Sequence, residues 1–495
     1  MGGITLYAVR LLRGAAVGAA FLASACGAQG GHAIAAVQVP QGWPSASPSV
    51  PTHVQNWMYA CASAAQTCVE LDNVGIPAAW MATHVDWNEV YYRDADDATS
   101  SQLAAAGARH IVVYTDPNIS SYCPIPPGYS LASSDFPENG DNCAGQVARY
   151  LHAENGGYAH AYEHQGNGNR LVDHADGLFD GQASEPFAIG DPDLQGAFHT
   201  VTLQNRYASD VFEDDGGGSY NCVVDSNGTC TGTFGPAAYA PPGCDDSGGY
   251  WCYKYGETAY EWDRAANPQE AYANDAIALV NASAHAVIGN DGLGTDAYDV
   301  QWLSASRVEG AMAENAWTQR ADPSAWMDRA DAILLYHSRG KFVVEEDADA
   351  SGLMFQIASH WIVYDPVYSI EFLAEANVAP RSVGTNDMTF PEESIVPTDP
   401  RSATPLSNDV TAFESAPGLF VREYASCYEN GVSIGYCAAV VNATGSPLEL
   451  AGLTQHYSRV LVRNTSATWA AGGTPVWSNA APSTIGANAG LILAQ

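Results

Sequence analysis

From residue 78 onward, short apolar runs that each close on a polar or acidic residue alternate with longer segments whose apolar positions recur three and four apart. The runs are Ala78–Asp86, His110–Asp116, Tyr158–Glu163, Ser209–Asp214, Ala284–Asn290, Val308–Glu314, Lys341–Glu346 and His360–Asp365. The segments between them read as helices. Asn267-Pro268-Gln269-Glu270 supplies a cap, a proline at the first helical position and a capping-box glutamate, and Ala273, Ala276, Ile277 and Val280 form the apolar stripe behind it. Asp322-Pro323 opens another helix, with Trp326, Ala330, Ile333, Leu334 and His337 on one face. Buried strands joined by helices pair in parallel, because each crossover returns the chain to the same edge. Eight such units in roughly 300 residues predict an α/β chain folded as a (β/α)8 TIM barrel rather than an open doubly wound sheet. No glycine-rich phosphate fingerprint follows any of the runs.

Past residue 377 the pattern changes. Pro380, Pro391, Pro397, Pro400 and Pro405 punctuate a stretch that leads into Leu419–Tyr424, Ser433–Asn442 and Val460–Arg463, set between Gly, Asn and Ser turns. This predicts a C-terminal antiparallel β-domain over 377–495. The barrel is assigned to 56–376, and the Gly-, Ala-, Pro- and Ser-rich residues 26–55 read as a linker or tether.

The first 25 residues carry Arg10 and Arg13 ahead of the small, apolar run Gly14–Ala25, the layout of a secretion signal and too short to span a bilayer. Ala23 and Ala25 suit ordinary cleavage. The stretch Leu22-Ala23-Ser24-Ala25-Cys26 also resembles a bacterial lipoprotein box, which would make Cys26 a lipid anchor. The expected location is therefore extracellular, periplasmic or anchored in the outer membrane. Cysteine usage agrees with export. The other ten fall in close couples, Cys61/Cys68, Cys123/Cys143, Cys222/Cys230, Cys244/Cys252 and Cys427/Cys437, which reads as five local disulfides in an oxidising compartment. With no C-x-x-C in the chain, a zinc site is not expected, and no cofactor is called for.

Acids outnumber bases 55 to 19, a formal charge of −36 that losing Arg10 and Arg13 with the leader makes more negative still. Such a surface repels phosphates, so nucleic acid is excluded as a partner. It favours neutral or cationic polymers over uronic-acid chains.

Barrel chemistry gathers at the C-terminal strand ends, where the loops converge on one rim. Acids recur there: Asp86, Asp116, Asp214 with Asp215, Glu314, Glu345 with Glu346, and Asp365. Asp86 and Asp365 read as caps or loop residues, as does Asp180 in the loop beyond the third run. Asp214 and Glu314 each follow an almost uncharged apolar run, where a lone buried carboxylate is costly without a purpose. Two carboxyls across a barrel mouth are what glycosidic bond cleavage requires, one protonated to donate to the leaving oxygen and one ionised. Asp116 and Glu345 are supporting acids that would raise the donor's pKa. Residues 216–262 form a disulfide-rich insertion with aromatics from Tyr220 to Trp262, suited to walling in sugar rings. Trp87, Tyr114 and Trp317 are further substrate-binding candidates.

The run Ser209-Asp210-Val211-Phe212-Glu213-Asp214-Asp215 and the run Glu309-Gly310-Ala311-Met312-Ala313-Glu314-Asn315 resemble glycoside hydrolases related to endo-α-1,4-polygalactosaminidase. Members of that group look like secreted bacterial (β/α)8 barrels. The resemblance covers residues 78–375 and implies Asp214 and Glu314 as the catalytic pair. Asp210 stands where the family has glycine, which leaves Asp215 as a second candidate for the first acid. Two other classes compete: a metal-dependent barrel hydrolase, for which only His84 of an H-x-H is present, and a non-catalytic glycan-binding surface lipoprotein on a barrel scaffold.

Overall fold

The computed structural model of the chain describes residues 52–60, 76–90, 97–115, 119–124, 182–186, 189–204, 206–213, 222–224, 230–233, 268–290, 293–295, 297–317, 322–347, 352–373, 389–400 and 408–495. The leader, Cys26, most of the tether, the run Tyr158–Glu163 and most of the 216–262 insertion lie outside the described residues.

The elements run in chain order β1 (Trp57–Tyr59), α1 (Ala78–His84), β2 (Trp87–Val90), α2 (Asp97–Ala106), β3 (His110–Thr115), β4 (Ile119–Pro124), β5 (Gln182–Pro186), α3 (Pro192–Gln204) and β6 (Asp210–Glu213). There follow β7 (Cys222–Val224), β8 (Cys230–Thr233), α4 (Pro268–Ala282), β9 (Ala286–Gly289), α5 (Ala297–Trp302), β10 (Val308–Ala313), α6 (Pro323–Ser338), β11 (Phe342–Asp347), α7 (Leu353–Val363) and β12 (Ser369–Leu373). Eight of these strands form one parallel sheet in the order β1-β2-β3-β6-β9-β10-β11-β12. A parallel bridge between Asn56 and Glu371, with the Glu371 N–H donating to the Gln55 carbonyl at 2.9 Å, joins the last strand to the first and closes the barrel. The (β/α)8 architecture is therefore present. Two shorter antiparallel pairs, β4 with β5 and β7 with β8, stand apart from it.

Two of the expected strands are helices. Ala78–Asp86 holds α1, and His360–Asp365 falls in α7 and the turn after it. The strands that do the pairing are β2 and β12 beside them, with β1 preceding. The reason is clearest for α7, where every residue from Phe355 to Val363 is buried. A helix packed on all sides shows no polar stripe, so its sequence is indistinguishable by period from a buried strand.

What buries α7 is the second sheet. Strands β13 (Ile395–Pro400), β14 (Glu414–Ala416), β15 (Leu419–Glu429), β16 (Val432–Asn442), β17 (Leu448–Glu449), β18 (Arg459–Val462), β19 (Val476–Ser478), β20 (Thr484–Ile485) and β21 (Ala489–Ala494) complete the chain. The main antiparallel sheet runs β13-β15-β16-β21-β18-β19, with β14 on β15. One continuous apolar core joins Trp326, Phe355, Ala358 and Trp361 of the barrel helices to Phe420, Tyr424, Ala439, Val441 and Ile492 of this sheet. Gly490 of β21 lies so close to α7 that a Cβ there would sit 2.4 Å from the Met354 carbonyl oxygen.

Cys427 and Cys437 form a disulfide across β15 and β16. Cys222 and Cys230 stand on the paired strands β7 and β8, and Cys123 on β4. Cys61, Cys68, Cys143, Cys244 and Cys252 lie outside the described residues.

Candidate active site

Strand alternation decides which carboxyls face the barrel interior. Lateral partners in a parallel sheet share a face, and the register runs Trp57–Trp87–His110, Tyr59–Glu89–Val112 and Tyr114–Phe212–Ile288. It continues through Ile288–Gly310, Gly310–Phe342, Met312–Val344–Ile370 and Glu346–Phe372. Trp57, Trp87, Val112, Phe212, Ile288, Met312, Val344, Ile370 and Phe372 pack into one cluster, which is the filled interior of the barrel. Trp87 stacks between His110 (centroids 3.8 Å apart) and Trp57 (6.0 Å). Above this plug the interior-facing phase carries Tyr59, Glu89, Tyr114 and Glu346 to the C-terminal rim.

Glu314 directly follows β10, is exposed, and lies one step beyond Met312 in the interior-facing phase. Continuing the Met312–Val344 register places it beside Glu346 on the neighbouring strand. The backbone directly after Glu314 is tied to Glu346. Asn315 adopts a left-handed conformation (φ 51°), which asparagine tolerates better than most residues. Its N–H donates to Glu346 Oε2 at 3.0 Å. Burial pushes the Glu346 carboxyl up to about 7; the Asn315 N–H opposes the rise and the charge of Glu314 adds to it. Two adjacent carboxyls thus differ sharply in environment, one exposed and one largely desolvated and held near neutrality, the arrangement that separates acid from base. Glu89 joins the interior from β2, fully buried, and accepts the Trp57 indole N–H at 2.7 Å.

Several sequence expectations are corrected by this phase. Glu345 points out of the barrel, away from the mouth, where Oε2 accepts the Trp317 indole N–H at 2.9 Å and Oε1 lies 3.0 Å from His360 Nδ1. Trp87 and Trp317 are 1% and 2% exposed and committed to internal partners, so neither offers a face on which a sugar ring could stack. Tyr114 is half-buried at the rim, its ring against Phe212. Asp86 precedes β2, at the opposite end of the barrel, paired with Arg109 at 2.7 Å and His53 at 3.2 Å. Asp365 caps the turn before β12 by accepting the N–H groups of Val367 and Tyr368. Asp116, Asp180, Asp214 and Asp215 lie outside the described residues. In the sequence Glu346 stands out only as the neighbour of Glu345, and Glu89 closes no apolar run; the signal that distinguishes them is alternation, counted once the strand register is known.

Beside the Glu314 loop a cavity of about 320 Å³, at the lower end of the range of small-ligand sites, is lined by Leu293, Thr295, Asn315, Trp317, Asp328 and Arg329 among others. Among the described residues no cluster of His, Cys, Asp and Glu has the arrangement of a metal site.

No protein-family model matches the chain, and no curated protein matches it in sequence. Solved structures with a similar course of the chain include an Anoxybacillus α-amylase ascribed to a new glycosyl hydrolase subclass, at 8% identity and TM-score 0.37, covering 90% of this chain and 97% of that one. A variant of a family 27 β-L-arabinopyranosidase from Geobacillus stearothermophilus, solved with arabinose, is 8% identical at TM-score 0.38, covering 90% and 97%. A pullulanase from Paenibacillus barengoltzii is 10% identical at TM-score 0.36, covering 92% and 79%. At such scores the likeness carries no weight on chemistry, which rests on the residues themselves.

Proposed function

We propose that this chain is an exported, glycoside hydrolase-like enzyme that cleaves glycosidic bonds of a neutral or amino-sugar polysaccharide with a pair of carboxyl groups at the barrel mouth. The observation that carries this reading is the juxtaposition of Glu314 and Glu346, one exposed and one with its pKa raised to about 7. Glu346 is the acid that protonates the leaving oxygen. Glu314 is the carboxylate that attacks the anomeric carbon or activates water. The resemblance to the polygalactosaminidase-related hydrolases pairs Glu314 instead with Asp214, two residues past the interior-facing Phe212, so Asp214 and Glu346 compete for the acid's role. The surface charge favours uncharged or cationic chains, and the Cys427–Cys437 disulfide suits an oxidising compartment.

Wild type, Glu314→Gln, Glu346→Gln and Asp214→Asn are to be assayed for reducing-sugar release on a panel of neutral and amino-sugar polysaccharides across pH 4–9. Glu314→Gln is expected to lower kcat/KM by about 10²–10⁴. If Glu346 is the acid, wild-type activity falls above pH about 7 and Glu346→Gln loses that limb; if Asp214 is, the limb survives in Glu346→Gln and vanishes in Asp214→Asn. Equal turnover by Glu314→Gln and wild type sinks the enzymatic reading. Binding of a polysaccharide with no turnover by any form leaves the glycan-binding lipoprotein.

A further inference from the structure

Strand β11 ends in three consecutive acids, Glu345, Glu346 and Asp347, and all three grip the loop that carries Glu314. The Asn315 N–H donates to Glu346 Oε2 at 3.0 Å, and the Ala316 N–H donates to the Glu346 carbonyl at 2.9 Å. The Trp317 N–H donates to Asp347 Oδ1 at 3.1 Å, and its indole N–H donates to Glu345 Oε2 at 2.9 Å. Because alternate residues of a strand face opposite ways, the loop is held from the barrel interior by Glu346 and from the helix layer by Glu345 and Asp347.

The helix-layer side of this grip needs a counter-charge. A carboxylate as deeply buried as Glu345 is costly unless paired. Its partner is His360 of α7, with Nδ1 at 3.0 Å and both side chains 1% exposed. The groups facing His360 are Glu345 from β11, Glu371 from β12 and His337 from α6, with the Tyr364 ring 5.4 Å away. Burial alone would strip the His360 proton, but the charges of Glu345 and Glu371 outweigh it and hold its pKa above the ordinary value. The two side chains meet where α7 is clasped between barrel and β-domain.

We infer that Glu345 and His360 are positioning residues: their buried ion pair, acting through the Trp317 indole, fixes the loop 314–317 and so sets Glu314 against Glu346. This rests on the proposed function for what Glu314 and Glu346 do, but the positioning itself is testable without substrate. The conservative variants are Glu345→Gln, His360→Gln and Trp317→Phe, the last leaving the ion pair in place while removing the indole donor. Amide hydrogen exchange of the full chain is the first readout. The amides of Asn315, Ala316 and Trp317 are expected to exchange about tenfold faster or more in each variant, while those of Val112 and Ile288 inside the barrel stay slow. The double variant Glu345→Gln with His360→Gln should be no faster than the worse single, since both act on one contact. Unchanged exchange at 315–317, or a uniform rise across the barrel, overturns the proposal. Should the ion-pair variants not fold, Trp317→Phe alone decides it by the same criteria. The second readout is turnover on any polysaccharide the wild type cleaves. A fall in kcat of about tenfold in Trp317→Phe with KM within about twofold supports positioning of a catalytic loop. Accelerated loop exchange in a protein that cleaves nothing defeats the enzymatic reading and leaves the positioning role standing.

Discussion

Glu345 and Glu346 are neighbours in sequence with opposite fates, and the difference is one step of strand alternation. Glu346 faces the mouth beside Glu314; Glu345 faces the helix layer and pairs with His360. A second residue-scale constraint lies at Gly310. Here β10 approaches β11 so closely that a Cβ would stand 2.6 Å from the Phe342 carbonyl oxygen and 2.7 Å from the Phe342 Cβ. Both atoms belong to Phe342, the residue paired with Gly310 across the two strands, and one of them is backbone held by that pairing. Gly310→Ala is therefore expected to destabilise the fold by about 1–3 kcal/mol through overpacking, measured as a lower denaturant midpoint with unchanged slope. A midpoint equal to wild type would show that the sheet relaxes there at no cost.

At the scale of the element, α7 is the hinge of the architecture, buried by the barrel on one side and by β15, β16 and β21 on the other. Its last carbonyls have no partner within the helix, as at any helix end. The β-domain supplies them. Arg422 of β15, 1% exposed, donates from Nη1 to the Ile362 carbonyl at 3.0 Å and the Tyr364 carbonyl at 2.8 Å, and the Tyr424 hydroxyl donates to the Trp361 carbonyl. The Arg422 guanidinium also lies over the Phe413 ring at 5.0 Å. Replacing Arg422 with Met keeps the apolar stem and removes the donors, leaving buried carbonyls unpaired. Chemical unfolding of Arg422→Met should show a loss of roughly 3 kcal/mol or more. A loss under about 0.5 kcal/mol, the scale of an ordinary surface change, would mean that the β-domain does not cap α7 in any energetic sense.

For the molecule as a whole, the buried carboxyls set the response to pH. Burial pushes Glu213 up to about 8, and its Oε2 meets no hydrogen-bond partner among the described residues. Burial likewise pushes Glu371 up to about 7, with His360 opposing, and Glu393 well above the ordinary value. At the N-terminal end of the barrel Glu309 is raised by burial and by its hydrogen bond to Asp210. Asp210 is itself lowered because the bonds from His110 and Glu309 outweigh burial. A carboxyl with a raised folded pKa binds its proton more tightly folded than unfolded, so its contribution is complete below about 4.5 and is lost as pH rises through 7–8. His337, lowered to about 4 chiefly by burial, works the other way and weakens the fold as pH drops from 6.5 towards 4. The melting temperature is therefore expected to fall between pH 6 and pH 9, with Glu213→Gln flattening that slope. A melting temperature that holds level or climbs over this range would contradict the upward shifts of Glu213, Glu371 and Glu393.

The periodicity of the chain was enough to place five of the barrel strands, β3, β6, β9, β10 and β11, with helices between them, and to give the capped start of α6 at Asp322, the antiparallel character of the C-terminal sheet and the coupling of Cys427 to Cys437. These are local properties: period, cap and turn chemistry act over a few residues and are written in their order. Which end of the barrel Asp86 occupies, that His360 belongs to a helix, and that Glu346 rather than Glu345 faces the mouth were decided only when the strands closed and the β-domain covered α7. The direction a strand residue faces and the polarity a helix needs depend on what packs against them. That partner comes from more than a hundred residues away in the case of α7 and β21, beyond the reach of any local pattern.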